Sequence, residues 1–170
     1  MSNAHGWATG PGGAMTASVL GIRADLKNAP KAKASPTAFV VAPQPSGLEW
    51  CVGRLSFANH HNVDVVWNVT EAASGRERTF VLDLDLSAAH AAAHGRVELP
   101  LHFPSPDSHH RGSDAALAEE DPVDITIEVD GEVVERRTLG AAERGAVYAV
   151  ALPTPLRSQR FVVRRTHAQL

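Results

Sequence analysis

Two histidines four residues apart, His90 and His94, are the plainest candidates for chemistry in this sequence. They lie in Ser87-Ala88-Ala89-His90-Ala91-Ala92-Ala93-His94-Gly95, where Ser87 can cap a helix and Gly95 can end one. On a helix that spacing puts both imidazoles on one face, which suits zinc or nickel. A working site needs a third and a fourth ligand. Asp and Glu are absent from Ser87 to Arg96, so the metalloprotease pattern with its glutamate base is not present. His102, Asp83 and the pair His109/His110 could add ligands, but no spacing ties them to the first two. The expectation is an alanine-rich cap carrying two solvated histidines, with no metal and no cofactor.

The other reactive groups read in the same way. Asp83 and Asp85 alternate with leucines, so they share the polar face of one strand and could contribute to a calcium site. The spaced acidic run of a calcium loop is absent. Cys51 sits in the apolar run Trp50-Cys51-Val52 with no base before Arg54, which reads as a buried, inert thiol. As a lone cysteine it also rules out an internal disulfide. His60/His61 and His109/His110 are adjacent pairs, whose side chains diverge, and they read as solvated loop residues. No nucleophile elbow, phosphate-binding lysine loop or dinucleotide glycine pattern occurs. Asn68-Val69-Thr70 matches a glycosylation sequon but falls inside an expected strand.

The elements that must position these residues are strands. Phe80, Leu82, Leu84 and Leu86 alternate with polar or lighter residues, and so do Val97, Leu99, Leu101 and Phe103. Pro100 cannot donate to a ladder, which predicts that the second of these strands lies at an edge or is bulged. Further strands are expected over Thr37–Ala42, Trp50–Ala58, Val63–Thr70, Val123–Val129, Glu132–Leu139, Ala146–Leu152 and Arg160–Thr166. Asn59-His60-His61-Asn62 should link two of them, and Asp130-Gly131 fits a type I′ hairpin turn. Residues 18–27 fit a helical face or an alternating strand; Gly21 penalises the helix, so the strand is expected. Ser113–Glu120 is expected to form one or two helical turns.

About ten short strands with almost no helix make the fold class all-β, a two-sheet sandwich or jelly roll. The domain reading is residues 1–36 as an N-terminal arm, first strand and basic linker, then residues 37–170 as the sandwich, with residues 18–27 packing into it. The arm is rich in glycine and alanine, and Trp7 is its natural anchor. Lys27, Lys31 and Lys33, the only lysines, cluster in the linker. A C-terminal basic group, Arg157, Arg160, Arg164 and Arg165, places Arg160 and Arg164 on one strand face and Arg165 on the other.

The chain has 170 residues, is 44% hydrophobic with few aromatics, and carries a net charge of −3. That charge divides into +3 over residues 1–58, −10 over 59–130 and +4 over 131–170, which sum to −3. Such blocks either steer contacts between subunits or average out if strands of the three parts interleave. Net acidity and scarce aromatic platforms speak against nucleic acid as a partner. No apolar run is long enough to span a membrane, and residues 1–13 lack the charge and apolar centre of a signal peptide, so synthesis and retention in the cytosol are expected.

The functional expectation is a non-catalytic structural or assembly subunit that binds protein partners, itself or a larger particle such as a viral one. Its expected contact residues are Trp7, Lys27, Lys31, Lys33, Pro100, Arg160, Arg164 and Arg165. The alternative is a β-sandwich module for sugar, lipid or peptide with loops 59–62, 104–122 and 153–159 at its site. A third reading is a metalloenzyme built on His90 and His94.

Overall fold

The computed structural model describes residues 15–25, 38–57, 61–86, 94–104, 122–143 and 145–167. Among the described residues ten strands form two sheets, as the alternation of apolar residues requires. They are β1 (Ile22–Ala24), β2 (Ala38–Val41), β3 (Trp50–Phe57), β4 (His61–Glu71) and β5 (Glu77–Asp85), then β6 (His94–Pro100), β7 (Val123–Val129), β8 (Glu132–Leu139), β9 (Val147–Ala151) and β10 (Gln159–His167). The four-stranded sheet has the order β1-β2-β6-β9, and the six-stranded sheet the order β3-β4-β5-β10-β7-β8. Only the β2–β6 pair is parallel among the pairings described. The expected two-sheet sandwich is therefore present. A π-helical turn, Met15–Leu20, precedes β1, so the stretch expected as one strand divides at Gly21 between a helical turn and a short strand.

The core lies between the inner faces. Val63, Val65, Trp67 and Val69 of β4 face Phe80, Leu82 and Leu84 of β5, Phe161 and Val163 of β10, and Ile125 and Ile127 of β7. Phe39, Val41, Val97 and Leu99 close it from the other sheet. Trp67, Phe80 and Phe103 form an aromatic column with centroid separations of 6.1 and 5.8 Å, tilted in the way ring quadrupoles favour. Gly95 is what lets the second sheet close. A Cβ there would meet Phe39 Cζ at 2.5 Å and Leu152 Cδ1 at 2.6 Å.

β2 is buried on both faces, and its outer face has a specific cover. Arg23, Val40 and Arg96 share one cross-strand row. Arg96 donates to Asp25 at 2.5 Å and to Glu98 at 3.0 Å, and Arg23 pairs with Glu98 at 3.5 Å. The aliphatic stems of the two arginines shield Val40 while their charged heads remain paired.

The hairpin at Asp130-Gly131 forms as expected. Both residues have positive φ, 52° and 85°, which is the type I′ signature.

Three expectations are corrected here. First, β6 is an interior strand, paired with β2 on one side and β9 on the other. The bonds Leu101 N to Ala146 O and Leu152 N to Gly95 O set its odd-numbered groups toward β9. The nitrogen of Pro100 therefore points to the β2 side, where pairing stops at Val97. An interior strand accepts this proline because no ladder bond is due at that point. Second, His94 is the first residue of β6 rather than the end of a helix. The helical face that would pair it with His90 does not reach it, and His90 lies outside the described residues. Third, Pro100 is buried rather than edge-exposed, and it lines a depression with Pro43, Pro45 and His102.

Candidate protein-binding edge

The groups expected to make contacts are distributed as follows. Trp7, Lys27, Lys31 and Lys33, and the helical turns expected over Ser113–Glu120, lie outside the described residues. Arg165 is 4% exposed, with its guanidinium 5.6 Å from the centroid of Phe103 and Nη1 donating to the Phe103 carbonyl at 3.1 Å. It closes the end of the aromatic column and is not part of a contact surface. The parity expected for the C-terminal arginines holds: Arg160 and Arg164 face outward from the sheet and Arg165 faces inward.

Both outward arginines have carboxylate partners. Arg160 lies 3.5 Å from Asp83, Arg164 donates to Glu128, and Arg157 lies 3.9 Å from Asp130. These pairs join the basic third of the sequence to its acidic middle. The strand order interleaves all three parts within one sheet, so the charge blocks do not form separate faces.

Asp83 and Asp85 do share the outer face of β5, beside a depression of about 350 Å³ that Asp64 and Asp130 also line. Each carboxylate has a protein partner. Arg54 holds Asp64 at 2.5 and 2.9 Å, Ser158 donates to Asp85 at 3.0 Å, and the Arg160 amide donates to Asp130 at 2.8 Å. Among the described residues, no group of three or more His, Cys, Asp or Glu side chains is placed to hold a metal ion.

Of the loops of the alternative ligand site, residues 58–60 and 105–121 lie outside the described residues, and only the strand ends that flank them are placed. The flanking ends of β3 and β4 and residues 153–158 lie at the end of the large sheet where Asp85 and Asp130 sit. Residues 104 and 122 flank the opposite end, since Val123 pairs with His167 and Phe103 accepts from Arg165.

The surface that sequence reasoning missed is β3. Among the described residues it is an edge strand, paired with β4 alone. The bond Val69 N to Glu49 O at 2.7 Å sets the odd-numbered groups of β3 toward β4. The N–H and C=O of Trp50, Val52, Arg54 and Ser56 therefore point outward along the edge, where no strand lies among the described residues. The side chains of the same residues form the outer face. Trp50 is 63% exposed and Val52 59% exposed, with Val66 of β4 paired beside Val52, and Leu48 just ahead of the strand. Leu20 of the π-helical turn packs against Gly53 on the inner face, so the strand is supported from within.

Cys51 lies on that inner face, half-buried against the core. Burial pushes its thiol above the ordinary range, which leaves it a poor nucleophile at neutral pH.

The missed signal was Trp50-Cys51-Val52 itself. A strand that is apolar at both parities is either interior or an edge with an apolar outer face. Nothing in the sequence chooses between the two.

Among the described residues, no helix is long and apolar enough to cross a membrane. No protein-family model and no curated protein matches the chain. Among solved structures, avian reovirus sigmaC117-326 is similar over 72% of this chain at 14% identity and a TM-score of 0.19. The chain spans 63% of the length of that structure. A TM-score so low carries no argument about fold or function.

Proposed function

We propose that this chain is a non-catalytic assembly subunit that joins protein partners through the β3 edge, within a larger particle. The supporting observation is an eight-residue edge strand whose outward backbone groups coincide with two exposed apolar side chains, Trp50 and Val52, extended by the exposed side chains of Leu48 ahead of the strand and Val66 beside it. Backbone groups give an added strand its affinity, and alternate side chains give it selectivity. Edge strands are ordinarily blunted by shortness, charge or proline. β8, at the other edge of the same sheet, follows that rule with Glu132, Glu135, Arg136 and Arg137, which flank its two exposed valines, Val133 and Val134. β3 has one charged residue, Arg54, already held by Asp64.

Gradient sedimentation of lysates from cells producing the wild-type chain or Trp50→Asp tests the reading. The wild type should travel in a species heavier than the monomer and the variant should not. Equal sedimentation of the two would refute the role of β3.

A further inference from the structure

Resting on that reading, we infer that the partner at the β3 edge is a second copy of this chain, joined antiparallel across a two-fold axis into one continuous twelve-stranded sheet. Three observations support it.

The first is the contrast between the two edges of the six-stranded sheet. A β3-to-β8 contact would be head-to-tail and would leave an open edge at each end of a growing filament. The four charges of β8 oppose that contact, because they would be desolvated against an apolar strand. A β3-to-β3 contact is isologous and closes. On the smaller sheet, β1 has three residues, and β9 has five with one large apolar side chain, Val147, well exposed.

The second is self-complementarity along β3. With the axis at Cys51, Trp50 of each copy stands opposite Val52 of the other, an aromatic against a β-branched residue, made twice. Arg54 of one copy then lies beside the Leu48-Glu49 end of the other, so the exposed Glu49 is brought toward a cation rather than another carboxylate. An axis further along, at Arg54, would set like charges together.

The third is extent. Trp50 alone, almost two-thirds exposed, presents on the order of 100 Å² of aromatic surface. Leu48, Val52 and Val66 extend the patch, and the backbone ladder adds to it. This falls short of a standard interface, about 800 Å² per partner, and belongs to the class of weak, transient contacts. The dimer should therefore form in the micromolar range and exchange.

The same register places the two Cys51 residues in a pair without backbone hydrogen bonds, where Cα atoms lie about 4.5 Å apart. That spacing falls within the range a disulfide spans.

Sedimentation velocity of the purified chain, from low to high micromolar, is the first test. A monomer–dimer equilibrium is expected, weakened about thirtyfold or more by Trp50→Asp, as for a buried interface tryptophan. Circular dichroism and a melting curve check that the variant is folded. Copper-phenanthroline oxidation at alkaline pH is the second test. It should give a covalent dimer that is absent in Cys51→Ser and depleted in Trp50→Asp. A purified chain that stays monomeric overturns the second-copy inference but leaves the broader assembly reading to the lysate experiment. A dimer indifferent to Trp50→Asp overturns β3 as its interface. A Trp50-dependent dimer without the Cys51 cross-link overturns the register.

Discussion

Replacing Gly95 by alanine sets two effects of opposite sign against each other. The substitution removes backbone freedom from the unfolded chain, which ordinarily stabilises by about 0.5–1 kcal/mol. In the folded state the new methyl would lie 2.5 and 2.8 Å from two atoms of the Phe39 ring and 2.6 Å from Leu152 Cδ1. Carbon atoms rest about 3.5–4 Å apart, so the neighbours must yield by about 1 Å. Leu152 can rotate. Phe39 is 1% exposed and fixed between the sheets, and its ring cannot bend. Overpacking of this kind costs about 1–3 kcal/mol, so the clash should win by about 1–2 kcal/mol. For a chain of this size that lowers Tm by about 2–8 °C. The assay is thermal and urea unfolding of Gly95→Ala beside Gly140→Ala, where an added Cβ has no atom within 4 Å. The control should be neutral or slightly more stable. In a Phe39→Leu background the Gly95→Ala penalty should shrink by about 1 kcal/mol, because the two sites are coupled through contact. A Gly95→Ala protein as stable as the wild type would show that the sheets do not close on this residue.

Other outcomes follow from the same structure. Arg96→Met should destabilise by about 1–3 kcal/mol in urea titrations, because it takes a partner from Asp25, which is 9% exposed. The estimate is discounted because the Arg96 side chain is itself 36% exposed. Arg54→Ala, which breaks a surface pair with the arginine largely exposed, should leave the melting midpoint almost unchanged. Trp50→Asp should alter stability by no more than about 0.5 kcal/mol while weakening association about thirtyfold or more, which separates folding from contact. Alkylation of Cys51 should be slow at neutral pH and accelerate as pH rises past the ordinary thiol range, because burial favours the protonated form. Urea should bring its rate to that of a free thiol; equal rates before and after unfolding would contradict the half-buried placement.

Much of the fold was legible because it is local. The β7–β8 hairpin is written in one alternating run, an Asp-Gly pair and a second run, and every element of that signal lies within seventeen residues of sequence, Val123 to Leu139. The strands around Phe80–Leu86 and Val97–Phe103 were legible for the same reason. The candidate site was not. Alternation says which residues share a face but not which face is turned inward. Arg160, Arg164 and Arg165 show this: their parity was correct, yet burial of Arg165 depends on Phe103, sixty-two positions away. Trp50 and Val52 are the converse case, apolar residues on the outer face because the opposite parity, Cys51 and Gly53, meets the core and Leu20.

By itself the sequence determined the all-β class, the strand positions, the type I′ turn and the absence of an internal disulfide. Each depends on residue type or on contacts between near neighbours. Tertiary structure decided the order of strands in each sheet, and with it which strands are edges. β2 pairs with β6 more than fifty residues later, and β10 inserts between β5 and β7. No local pattern encodes such pairings, since many strands share the same alternation and the choice among them rests on how two whole faces fit. Pro100 looked like an edge marker and proved to sit inside a sheet. β3 carried no edge marker and proved to be an edge. Both outcomes have one physical cause: a strand's backbone groups acquire partners from the rest of the chain, not from their own residues.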